Sequence, residues 1–125
     1  MPDRCTVGIQ GENVAAAALQ RAGYALLARR WRPHTGNLRG EIDIIARREG
    51  RITFVEVRSR LLDDLTPALE SISARKRSQL RALAESYLAA EAVADVEVCF
   101  LVMAVNPRTG HVEWVEDALD NADRW

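Results

Sequence analysis

A chain of 125 residues, 48% apolar and 28% charged, can bury one core but not two, so one domain over residues 1–125 is expected. Its longest apolar run, Val98 to Val105, is far short of the ~20 residues a membrane helix needs. Asp3, Arg4 and Gln10 also interrupt any leader-like pattern at the start, so a cytoplasmic protein with no membrane partner is expected.

The formal net charge of −1 hides an asymmetry: residues 21–60 hold ten arginines against four acids, and residues 61–125 hold six bases against twelve acids. Such polarity suits one face to an anionic partner, nucleic acid first among them, although solvated surface arginines would give the same count. Cys5 and Cys99 have no ligand-like neighbours and read as reduced, structural thiols.

Along the chain, Ile9, Ala16 and Leu19 mark an apolar stripe on a helix from about Val7 to Ala22, which Gly23 is placed to end. Gly8, Gly11 and the alanines at 15–18 keep that helix thin, as close packing on a sheet requires. Glu12 lies on the same stripe, an unusual place for a carboxylate. Tyr24 to Arg32 reads as a strand, and residues 33–40 as a loop by their Pro, Gly and Asn content. Two strands follow, Glu41–Ala46 and Ile52–Arg58, joined by a short Gly-containing connection that predicts a β-hairpin. Thr66 as cap and Pro67 in the first turn open a helix predicted to run to about Ala90, with a stripe of Leu69, Ile72, Leu80, Leu83 and Tyr87 and with Lys76 in line with it. Val96–Val105 is a buried strand, residues 106–110 a turn, and His111–Val115 a short strand in which Trp114 reads as core. A final helical turn is expected near Glu116–Asn121. The order αβββαβ, with a short strand and helix at the end, predicts an α/β fold in which helices flank a mixed sheet.

The hairpin carries the chemistry. Alternation along a strand puts Glu41, Asp43 and Ile45 on one face and Ile42 and Ile44 on the other. With the turn centred on Glu49-Gly50, Asp43 falls opposite Glu56 and Glu41 opposite Arg58. Directly opposed residues have Cβ atoms roughly 4.5–5.5 Å apart, where like charges destabilise a sheet. A divalent cation bound by the two carboxylates would remove that cost, completing its shell with water and phosphate oxygens. Arg58 would then hold a phosphate oxygen. The plainer reading is a half-exposed hairpin with a Glu41–Arg58 ion pair on its polar side. Glu12 and Lys76, charged residues on otherwise apolar stripes, speak for a shared polar site instead. His34 and His111 are isolated, and Trp31 and Trp125 are weaker candidates that could stack on bases.

An acidic strand residue followed by Glu-x-(Lys/Arg) on the next strand resembles the PD-(D/E)xK nuclease superfamily. GENVAAAAL at 11–19, GEIDIIA at 40–46, FVEVRSR at 54–60 and VEWVEDALDN at 112–121 narrow the resemblance to the YraN-like family, small proteins grouped with endonucleases and related to Holliday junction resolvases. The resemblance implies a restriction-endonuclease-like fold, with Asp43 and Glu56 as ligands of Mg²⁺ or Mn²⁺ and Glu12 as a helix-borne acid beside the metal. Arg58 stands where the superfamily has its catalytic Lys, and Lys76 matches a lysine of the following helix. Two departures stand out. Arg58 stays protonated at ordinary pH and so cannot act as a base, and Leu101 stands where relatives tend to carry an Asp.

The function expected is therefore a metal-dependent endonuclease acting on DNA, branched or single-stranded. Arg30, Arg32, Arg39 and Lys76 are the expected phosphate contacts, and a homodimer is a further expectation. The alternative is a nucleic-acid-binding module that keeps the nuclease fold with little or no catalysis. A protein-interaction domain, suggested by the acidic second half, is a third reading.

Overall fold

The computed structural model describes residues 3–116. Helix α1 spans Arg4–Arg21, β1 Ala25–Trp31, β2 Ile42–Arg48, β3 Arg51–Ser59, α2 Thr66–Leu69, α3 Ala74–Ala90, β4 Glu97–Asn106 and β5 His111–Glu116. The five strands form one sheet in the order β1-β2-β3-β4-β5. Its β3–β4 pair is parallel and the others antiparallel. This mixed sheet flanked by helices has restriction-endonuclease-like topology.

Helix α1 starts earlier than the stripe suggests, because the Asp3 carboxylate accepts the Thr6 backbone N–H at 2.8 Å and caps the first turn. It ends at Gly23, whose φ of +94° few other residues tolerate. Between β2 and β3 the turn residues Glu49 and Gly50 both have positive φ, +53° and +76°. This two-residue turn matches the twist of the flanking strands and sets their register. The register agrees with expectation from Arg48↔Arg51 to Ile44↔Val55.

Each face of the sheet has its own core. On one side Ala15, Ala16 and Leu19 of α1 pack on Ile44, Ala46, Val55, Leu101, Met103 and Val105. On the other, Leu80, Leu83 and Tyr87 of α3 pack on Ile42, Ile45, Phe54 and Phe100. The Tyr87 ring stands edge-on to Trp31 and Phe54, at centroid distances of 5.3 and 5.8 Å. Burial on both faces explains the unbroken apolar run in β4.

Several expectations change. The single helix predicted over 66–90 is two: α2 ends at Leu69, and Ser73 starts α3 by accepting the Lys76 N–H at 3.1 Å. Thr66 is a helical residue rather than a cap; its N–H donates to the Asp64 carboxylate at 3.0 Å. Trp114 is 42% exposed rather than core, because β5 lies at the sheet edge. Ile9 of the predicted stripe is likewise exposed. The terminal helix expected near Glu116–Asn121 lies almost wholly outside the described residues. No helix among the described residues is long and apolar enough to cross a membrane.

Candidate nucleic-acid cleft

The β2–β3 ladder stops at Ile44↔Val55, although both strands continue. Beyond it, Ile42 of β2 pairs with Trp31 of β1, while β3 runs beside β4 as far as Ser59↔Val105. The two central strands therefore part, each held by its outer neighbour, and a wedge opens between them. Asp43 stands at its apex, where Oδ2 accepts the Val57 N–H at 2.8 Å. A side-chain oxygen thus satisfies a strand donor that the ladder no longer serves.

This parting corrects the simple alternation. Ile42 and Ile45 lie in the core under α3, and Ile44 lies in the core under α1, so Ile42 and Ile44 do not share a face. Glu41 precedes the strand, and its carboxylate lies 2.9 Å from the Arg32 guanidinium. The expected cross-strand Glu41–Arg58 pair gives way to that contact.

A cleft of about 950 Å³ occupies this end of the molecule. Helix α1 lines it with Val7, Gly8, Ile9 and Glu12, β1 with Arg30, β2 with Asp43, and the residue before β2 with Glu41; Val57 to Leu61 complete it. Gly11 determines how near α1 comes: a Cβ there would fall on Ser59 Oγ and lie 2.7 Å from Ser59 Cβ. That close approach delivers Glu12 to the strand ends.

The buried carboxylates already have partners. Glu12, 7% exposed, accepts from Arg29 Nη2 at 3.1 Å and from Arg30 Nε at 3.2 and 3.3 Å. Glu56, also 7% exposed, lies 3.6 Å from Arg58 Nη2 and 3.8 Å from Lys76 Nζ. Burial pushes the Asp43 carboxyl up to about 7, helped by the negative charge of Glu56, then by that of Glu12, and by a hydrogen bond shared with Glu56. The Val57 N–H opposes the rise without cancelling it. Arg58 lines the cleft, and its buried Nε has no hydrogen-bond partner.

Among the described residues, no three His, Cys, Asp or Glu side chains are gathered closely enough to hold a metal ion. Asp43 and Glu56 do come together as the hairpin predicts, whereas Glu12 is turned to Arg29 and Arg30. Mg²⁺ commonly takes only one or two carboxylates and fills its shell with water and phosphate. Asp43 and Glu56 are the two carboxylates that would hold such an ion, and the rest of its shell would have to come from water and phosphate.

The expected phosphate contacts divide. Arg30 lines the cleft and Lys76 stands behind Glu56, while Arg32 is engaged by Glu41. Arg39 lies on the exposed loop outside the cleft lining, where its carbonyl accepts from Gln79 at 3.2 Å. Sequence reasoning missed Arg29, Ser59 and Arg60. Two of these lie in the FVEVRSR segment, a signal available in the sequence; for Arg29 only a neighbour in the basic block pointed the way.

The fold is that of a restriction-endonuclease-like α/β domain. More narrowly, the chain belongs to the family described as "Uncharacterised protein family UPF0102", whose profile matches residues 11–105. A UPF0102 protein of Roseiflexus castenholzii is 49% identical over 87 residues, covering 70% of this chain and 67% of its own. One from Nitratidesulfovibrio vulgaris is 38% identical over 119 residues, covering 94% and 86%. One from Pseudomonas aeruginosa is 38% identical over 118 residues, covering 90% and 91%. Among solved structures, an XisH family protein from Nostoc punctiforme is similar with a TM-score of 0.46 and 18% identity, over 85% of this chain and 98% of that one.

Proposed function

We propose that the cleft binds the phosphate backbone of nucleic acid, DNA in the first instance, as a module that keeps the nuclease fold with little or no catalysis. One observation carries the reading: the buried carboxylates in and beside the cleft are already neutralised from within, while the Arg30 and Arg58 side chains line it. Glu12 and Glu56 are each held by two cations, and the Asp43 carboxyl, pushed up to about 7, keeps its proton over much of the acidic range. What the cleft still offers a ligand is guanidinium, and guanidinium suits phosphate.

A metal-dependent endonuclease is the second reading, favoured by the Asp43–Glu56 contact. Two carboxyls so close, one with its ionisation suppressed, form a place where a cation lowers the energy. Mg²⁺ or Mn²⁺ held by Asp43 and Glu56 would supply Lewis-acid activation and charge neutralisation there. Arg58 would orient the phosphate and stabilise developing charge, because its guanidinium cannot take a proton from water.

Fluorescence anisotropy of labelled single-stranded, duplex and four-way-junction DNA in EDTA, over a salt series, tests the binding reading. Salt-sensitive binding is expected, and Arg58→Ala should weaken it and reduce the log–log salt slope by about one. No binding at low salt, or an Arg58→Ala chain that binds as well as the parent, would refute it. Cleavage that requires Mn²⁺ and is lost in both Asp43→Asn and Glu56→Gln would move the conclusion to the second reading.

A further inference from the structure

Arg29 and Arg30 are consecutive residues of one strand, yet both reach the same carboxylate on α1. Successive side chains of a regular strand face opposite ways. Two irregularities make the exception. The β1–β2 register slips between Leu26 and Ala28, and Arg30 has φ of +51°, a left-handed conformation uncommon for any residue with a Cβ. Beyond the slip, Ala28 and Trp31 pack on the α3 side, and Arg29 pairs with Ile44, which belongs to the α1 core. The left-handed residue between Arg29 and Trp31 thus directs both guanidiniums towards α1.

The contact also divides the Arg30 guanidinium. Its Nε donates to both oxygens of Glu12, while its two Nη atoms make no hydrogen bond among the described residues. The side chain lines the cleft and is 45% exposed. Arg29, 37% exposed, uses one Nη2 for both Glu12, at 3.1 Å, and Asn13, at 2.9 Å. Glu12 itself is all but shut off from solvent.

We infer that Glu12 is a positioning residue whose buried carboxylate holds Arg29 and Arg30 as a preset clamp for a nucleic-acid phosphate. This rests on the phosphate-binding function proposed above. Strain at Arg30 is maintained because Glu12 takes the inner edge of the guanidinium and leaves the outer edge to the ligand, a use of strain suited to preorganised sites. A flexible arginine would have to be ordered when the phosphate arrives; here the fold has ordered it beforehand.

The test turns on a sign. Removing a negative charge from a cleft that binds a polyanion should tighten binding if charge alone matters. If Glu12 positions the arginines, Glu12→Gln should weaken it. Affinity for a fluorescein-labelled single-stranded oligonucleotide is measured in EDTA across a salt series, with thermal melts confirming folding. Glu12→Gln is expected to bind about five- to tenfold more weakly, with the salt slope reduced by about one. Arg30→Gly accepts the left-handed backbone and loses the guanidinium, so it should lose as much. The double variant should lose less than the sum of the two single losses, since Glu12 acts partly through that side chain and partly through Arg29. Arg30→Lys keeps the charge without the two-edged fork and should also bind more weakly, which gives a readout that does not depend on altering buried Glu12. Tighter binding by Glu12→Gln, or parental affinity in Arg30→Lys, overturns the clamp while leaving the Arg58 result to stand for the cleft. A parent chain that binds no oligonucleotide overturns both.

Discussion

Replacing Asp43 with asparagine removes a carboxyl that the fold keeps protonated far above its ordinary range. Its value rises from 3.8 to about 7, first by burial and then by the charge of Glu56. Below about pH 4 the folded and unfolded chains both carry this proton, and the group is neutral to stability. Between about 4 and 7 the unfolded chain has released the proton and the folded chain retains it, so stability falls as pH rises. Above about 7 both states are ionised and the loss is complete. At about 1.4 kcal/mol per pH unit, the ceiling is about 4 kcal/mol; Asp43 is only partly buried, and screening by solvent brings the working figure to about 2–3 kcal/mol. Asparagine cannot ionise, and its side-chain oxygen still accepts the Val57 N–H. Asp43→Asn should therefore match the parent at about pH 4 and exceed it by about 2–3 kcal/mol at about pH 8. Urea denaturation of both proteins at intervals of pH measures this directly. A difference that stays constant across the range would refute the assignment of the buried proton to Asp43.

Gly11→Ala should cost about 1–3 kcal/mol, because its Cβ would overlap the Ser59 side chain; adding Ser59→Gly should recover most of the loss in denaturant melts, and strict additivity of the two would count against the contact. Glu49 holds φ of +53° in the β2–β3 turn, so Glu49→Asn should raise stability by about 0.5–1 kcal/mol, and a lowered melting temperature would contradict the turn geometry. Burial, followed by the charge of Glu116, pushes the Cys99 thiol up to about 11. In a Cys5→Ser background it should therefore react with a disulfide reagent near pH 8 far more slowly than an unfolded control, and equal rates would show that the thiol is free.

The strand order is decided between elements, whereas the hairpin is decided within one. Glu49-Gly50 sets its own two-residue turn, and such a turn dictates which residues face each other across the ladder. The register that brings Asp43 towards Glu56 is for that reason readable from a short stretch of sequence. The apolar stripes of α1 and α3 were readable on the same ground, because a helix repeats its face every few residues. Glu12 stood out as a charge on such a stripe, but the sequence does not say which cation answers a buried charge. That depends on a strand slip at Leu27 and on the left-handed backbone at Arg30, neither of which has a periodic signature. The wedge was hidden for a related reason. It forms because β1 and β4 each keep hold of their own neighbour, a competition between ladders far apart in the chain. The exposure of Trp114 follows from the edge position of β5, which local apolar pattern cannot report. Sequence determined the elements and the local pairing, since those rest on contacts a few residues apart. Tertiary structure decided which charges neutralise one another and where the sheet opens, since buried charge is settled by whichever partners the whole fold brings within reach.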